Sequence, residues 1–113
     1  MKLTFLGTGT SQGVPVIGCR CRVCTSTDAK DKRLRTSALV EVEGGSLLID
    51  AGPDLRQQLL RANVSHLQGI LLTHEHKDHT GGLDDVRALN FVDYPEAVHP
   101  VEVYATERTL KIV

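Results

Sequence analysis

An α/β fold is what this sequence predicts. Short apolar, β-branched runs alternate with segments of helical period, and no linker or low-complexity stretch interrupts them. A length of 113 residues suits one domain. Lys2 to Leu6 reads as a strand entering a glycine turn. Residues 7 to 24 form a loop, and loops beyond about 12–15 residues tend to carry function. Asp28 to Leu34 reads as a short helix. Ser37 to Val42 and Ser46 to Ile49 are strands joined at Glu43-Gly44-Gly45, a hairpin signal. Pro53 to Ala62 reads as a helix, with Pro53 in its first turn and Leu55, Leu59 and Ala62 on one face. Gly69 to Leu72 is a buried strand. Gly82 to Phe91 is a helix with Leu83, Val86 and Leu89-Asn90 on its inner face. Val101 to Tyr104 is a strand, and Thr106 caps a last helix.

Composition excludes several classes. Hydrophobic residues at 41% and charged residues at 24% are ordinary for a folded domain and unlike a disordered chain. No apolar run approaches the roughly 18 residues that cross a membrane. A net charge of −1 gives no global signal for nucleic acid. Residues 20 to 35 are locally basic: Arg20, Arg22, Lys30, Lys32, Arg33 and Arg35 stand against Asp28 and Asp31. Such a segment could steer a phosphate ester, or simply be a solvated loop.

The chemistry concentrates in His74-Glu75-His76-Lys77-Asp78-His79, directly after the apolar run Gly69-Ile70-Leu71-Leu72. Imidazole and carboxylate are ligands of zinc, manganese and ferrous iron. Along an extended segment His74 and His76 point to one side. Asp78 and His79 follow at a turn beside Thr80-Gly81-Gly82. The spacing suits two adjacent ions, one on His74 and His76, the other on Asp78 and His79, with Glu75 and Lys77 outward. The other two histidines, His66 and His99, read as solvated loop residues.

All three cysteines, Cys19, Cys21 and Cys24, fall within six residues. An odd, clustered count is not a disulfide framework, and Met1-Lys2-Leu3 runs straight into a strand with no signal-peptide pattern. A reducing cytoplasm and a structural zinc on three thiolates are the expectation. No neighbouring base marks one of them as a nucleophile.

Three segments together resemble the metallo-β-lactamase-fold hydrolases. They are His74-x-His76-x-Asp78-His79, the strand Leu47-Leu48-Ile49 ending in Asp50-Ala51-Gly52, and the opening Leu3-Thr4-Phe5-Leu6-Gly7-Thr8-Gly9. Ser11-Gln12-Gly13-Val14-Pro15 and the Cys-x-Cys-x-x-Cys loop narrow the resemblance to the cyclic-phosphate phosphodiesterases of the carbon–phosphorus lyase pathway. That family builds an αββα sandwich from two similar halves. The resemblance therefore implies a single partial domain over residues 1–113: the N-terminal half, shortened in the gene, in the expressed polypeptide or by proteolysis. The other half would supply a further histidine for each metal, a bridging aspartate and a histidine for the cysteine zinc.

What the resemblance implies for function is metal-assisted hydrolysis of a small or cyclic phosphodiester, with one or two Zn2+ or Mn2+ at the histidine motif. Asp78 is the catalytic metal ligand and Asp50 the carboxylate that orients ligands beside it. Asp50 also has a structural alternative, capping the helix that starts near Pro53. Gly7, Gly9 and Gly13 match neither a P-loop nor a dinucleotide fingerprint. Rival readings are a pre-tRNA-trimming nuclease of the same fold, a thiol-ester or lactam hydrolase, and an inactive metal-binding half-domain. An isolated half would bare one sheet face, so a homo-oligomer is expected.

Overall fold

The computed structural model describes residues 1–113. Its centre is a five-stranded sheet in the order β1-β2-β3-β4-β5, with β1 Lys2–Gly7, β2 Ser37–Val42, β3 Gly45–Ile49, β4 Gly69–Leu71 and β5 Glu102–Tyr104. The first three strands are antiparallel neighbours, because a tight turn at Gly44 joins β2 to β3. The last two run parallel to β3, which requires crossovers. Helix α1 (Leu55–Arg61) makes the first crossover. The second contains α2 (Lys77–Thr80), a 3-10 turn at Leu83–Val86 and α3 (Arg87–Asn90). Helix α4 (Glu107–Ile112) ends the described chain.

Side chains alternate across the sheet, so its faces differ. Leu6, Leu39, Leu48 and Ile70 point to the helices and pack with Leu55, Leu59, Val86 and Leu89 as one core. Phe5, Ala38, Ile49, Leu71 and Tyr104 form a cross-strand row on the opposite face. No helix covers that row: Phe5 is 70% and Leu71 43% exposed. The architecture is a mixed α/β half-sandwich, as the sequence predicts.

Three elements differ from the sequence reading for physical reasons. The helix expected over Asp28 to Leu34 is only a 3-10 turn at Ala29–Asp31. Arg33 exchanges two backbone hydrogen bonds with Val14, both 2.8 Å, which pulls that stretch extended. Helix α1 begins at Leu55, not Pro53, with Asp54 at its N-cap position. The helix expected over Gly82 to Phe91 is split, because Leu83, Val86 and Leu89 recur every three residues, a spacing that a 3-10 turn satisfies as well as an α-helix. Thr106 caps α4 as expected, accepting from the Thr109 N–H at 3.3 Å.

Candidate metal centre

The C-terminal ends of β3 and β4 lie side by side at one end of the sheet, and Asp50 sits there immediately after β3. Its φ of 63° is left-handed, a conformation that aspartate tolerates better than most residues. Neighbours hold it there. Its N–H donates to the Leu71 carbonyl at 3.0 Å, and its carbonyl accepts from the buried Ser37 hydroxyl at 3.0 Å. The strained backbone aims a side chain that is itself buried, at 4% exposure. That carboxylate accepts from the Thr73 N–H at 2.8 Å and from the Thr73 hydroxyl at 2.8 Å. It also lies 2.6 Å from His79 Nδ1. The alternative of a helix cap falls away, since α1 starts beyond it.

The consequence for His79 is chemical. The Asp50 carboxylate is placed to accept a proton from Nδ1, which makes Nε2 the nitrogen open to a metal. His79 Nε2 lies 2.9 Å from Asp78 Oδ2, so these two donors address one small region. The rings of His74 and His79 are 4.2 Å apart and those of His74 and His76 4.6 Å apart. Donor atoms of His74, His76 and Asp78 all lie within 4.8 Å of one another. The site residues read from the sequence are thus assembled at one point, and their nitrogen and oxygen donors fit a divalent ion.

Glycine makes this assembly possible at two positions. A Cβ on Gly52 would come 2.2 Å from the Asp78 carbonyl, and one on Gly82 would come 2.0 Å from the Gly52 carbonyl. The turn carrying the histidine motif therefore passes directly over the Asp50-Ala51-Gly52 segment. Hydrogen bonds from Ala51 N–H to the His79 carbonyl and from Gly82 N–H to the Ala51 carbonyl, 2.8 and 2.9 Å, lock the two together.

Glu75 departs from expectation. It turns toward α4 instead of outward, pairing with Arg108 at 3.1 Å and accepting from the Thr109 hydroxyl at 3.3 Å. Its own backbone N–H, then Arg108, hold its carboxyl below the usual range. Lys77 is exposed as expected. Sequence reasoning missed Thr73 and Ser37, which position Asp50. The signal for Thr73 was a hydroxyl between a buried strand and the motif; nothing marked Ser37.

Cys19, Cys21 and Cys24 converge, with sulfurs within 4.8 Å of one another and none in a disulfide. The Cys24 N–H brings the Cys21 thiol down to about 7, helped by the thiols of Cys19 and Cys24. Cys24 itself is pushed up: the Val16 N–H opposes that, but the Cys19 thiol and burial prevail. Three sulfurs facing one point fit zinc, whose ligands are thiolates. The loop is tied to the body by Arg33, which donates to the Thr8 hydroxyl, and by Arg35, which donates to the Ser11 carbonyl and pairs with Asp54 at 3.1 Å. Two residues of the basic segment, Arg33 and Arg35, are therefore engaged in holding the loop. His66 and His99 are exposed, as read, yet both lie against Asp93.

Comparison with known proteins agrees with the fold. The model of the β-lactamase superfamily domain matches residues 46–113. A protein of Porphyromonas gingivalis named octanoyltransferase is 56% identical over 90 residues, 79% of this chain but only 18% of that protein. Among solved structures, a diphosphatase from the PhnP family superposes with a TM-score of 0.90 at 48% identity, over 97% of this chain and 43% of that one. Zinc-bound PqqB from Methylobacterium extorquens gives 0.79 at 30%, over 98% and 42%. The human short-form tRNase Z gives 0.66 at 25%, over 92% and 34%. The chain thus spans less than half the length of each of these proteins. With that match, and with the sheet, Asp50 and the histidine motif in place, the chain belongs to the metallo-β-lactamase-fold superfamily.

Proposed function

We propose that this chain carries the metal-holding part of a phosphodiesterase that acts on a small or cyclic phosphodiester through two adjacent zinc or manganese ions. The observation that carries the reading is the Asp50–His79 contact of 2.6 Å, with His79 Nε2 beside Asp78 and with His74 and His76 adjacent. In this reading His74 and His76 hold one ion, and Asp78 and His79 the other. Asp50 keeps His79 in the ligating tautomer, and Thr73 keeps Asp50 in place. When bound, such ions supply an activated water nucleophile and draw charge from the phosphoryl oxygens. Cys19, Cys21 and Cys24 hold a structural zinc that shapes the loop. The choice of a phosphorus ester is supported by the 48% identity to a diphosphatase and by the cysteine loop. The protein acts in the cytoplasm, and the chain by itself pairs with a second copy through the open sheet face.

The test is hydrolysis of a generic aryl phosphodiester with added zinc or manganese, with pre-tRNA, a phosphoanhydride and a thioester as parallel substrates. The full-length parent should cleave the phosphodiester, and His76→Ala should abolish that activity. Residues 1–113 alone should bind metal weakly and turn over little. A metal-loaded parent that cleaves only pre-tRNA or the thioester would overturn the substrate class. Robust turnover by residues 1–113, lost in His76→Ala, would show that two protein ligands per metal suffice.

A further inference from the structure

A second set of metal donors lies away from both sites above. His66 sits in the connection before β4, Asp93 in the segment after α3, and His99 in the segment before β5. His99 Nε2 lies 2.6 Å and His66 Nε2 3.4 Å from the same oxygen, Asp93 Oδ2. Donor atoms of the three residues fall within 4.8 Å of one another. The rings stand edge to face at 5.6 Å. We propose that His66, Asp93 and His99 form a site for a divalent transition metal, distinct from the histidine motif and the cysteine loop.

Two further observations support it. The Ser65 hydroxyl lies 3.2 Å from His66 Nδ1, so the far nitrogen has a partner while Nε2 faces the cluster. Metal-ligating imidazoles characteristically have their second nitrogen held in this way. The segment bearing His99 is also fixed: its N–H donates to the Asn90 carbonyl at 2.9 Å, and the Val101 N–H donates to the Asn90 side-chain oxygen at 3.2 Å. Two imidazole nitrogens and one carboxylate suit zinc, copper(II) or nickel(II), with a coordination position left for water. His66 precedes β4 and His74 follows it, so the two histidine clusters stand at opposite ends of that strand. An ion here would clip the segment between α3 and β5 to the α1–β4 connection. It would leave the donors of the histidine motif untouched.

Equilibrium dialysis against micromolar free zinc tests the proposal on the whole 113-residue chain. The His66→Ala/His99→Ala variant should hold one zinc fewer per chain than the unaltered protein. Asp93→Asn should weaken that zinc by about tenfold or more. In the unaltered chain, where no folding defect can intervene, zinc should shift the imidazole nitrogen resonances of His66 and His99. Equal zinc counts in the two proteins would overturn the proposal. So would His66 and His99 resonances that stay fixed while those of the histidine motif move.

Discussion

At the scale of single residues, Asp50 organises the site. It is buried, adopts a left-handed backbone conformation, and spends its carboxylate on Thr73 and His79. Asp50→Asn keeps the size but removes the charge that holds the proton on His79 Nδ1. Zinc affinity at the histidine motif should then fall about tenfold to a hundredfold. A competition titration with a zinc chelator reads that loss, and unchanged affinity would mean that Asp50 is only a scaffold residue. The residue types of the candidate site were legible in the sequence, because three histidines and two acidic residues in six positions have few structural uses. The partners of Asp50 were not, since Ser37 lies on β2 and Thr73 just past β4, and only the fold brings them near.

At the scale of elements, the site depends on a turn stacked on a strand end. Gly52→Ala would place a methyl 2.2 Å from the Asp78 carbonyl, so the turn that bears Asp78 and His79 must move. The expected outcome is loss of metal binding at the histidine motif with the cysteine zinc retained. Cobalt substitution checks this, because thiolate-to-cobalt absorption should survive while the motif stays empty. Strands were legible wherever an apolar run had a clear boundary, as at Ser37 to Val42. Helix limits were less so. The stretch after Asp28 is drawn into a bridge with Val14, a partner far away in sequence. The turn of α2 is only four residues long, too short to show a period. The role of Glu75 was misread because its partners, Arg108 and Thr109, lie on α4.

At the scale of the whole molecule, one sheet face is covered and the other is open. Leu3, Phe5, Leu47, Leu71 and Tyr104 on the open face are each more than a third exposed. Apolar surface of that kind usually marks an interface. Self-association of this chain should therefore weaken when a charge enters the patch. Phe5→Lys should shift the sedimenting species from dimer toward monomer without disturbing the helix-side core, where Leu48 and Ile70 are fully buried. A monomer in both proteins would contradict that use of the face. The chain spans 43% and 42% of the PhnP-family and PqqB structures it resembles. A second sheet supplied by further chain would compete with a second copy for the same face.

The central claim is that His74, His76 and His79 hold metal, with His79 prepared by Asp50. The most direct measurement is a zinc titration followed by the imidazole nitrogen resonances of the assigned histidines. The account predicts that His79 already carries its proton on Nδ1 before zinc is added. It predicts that Nε2 of His79 and the ring nitrogens of His74 and His76 then move together as zinc binds. A His79 protonated on Nε2 in the metal-free chain, or three motif imidazoles indifferent to zinc, would contradict it.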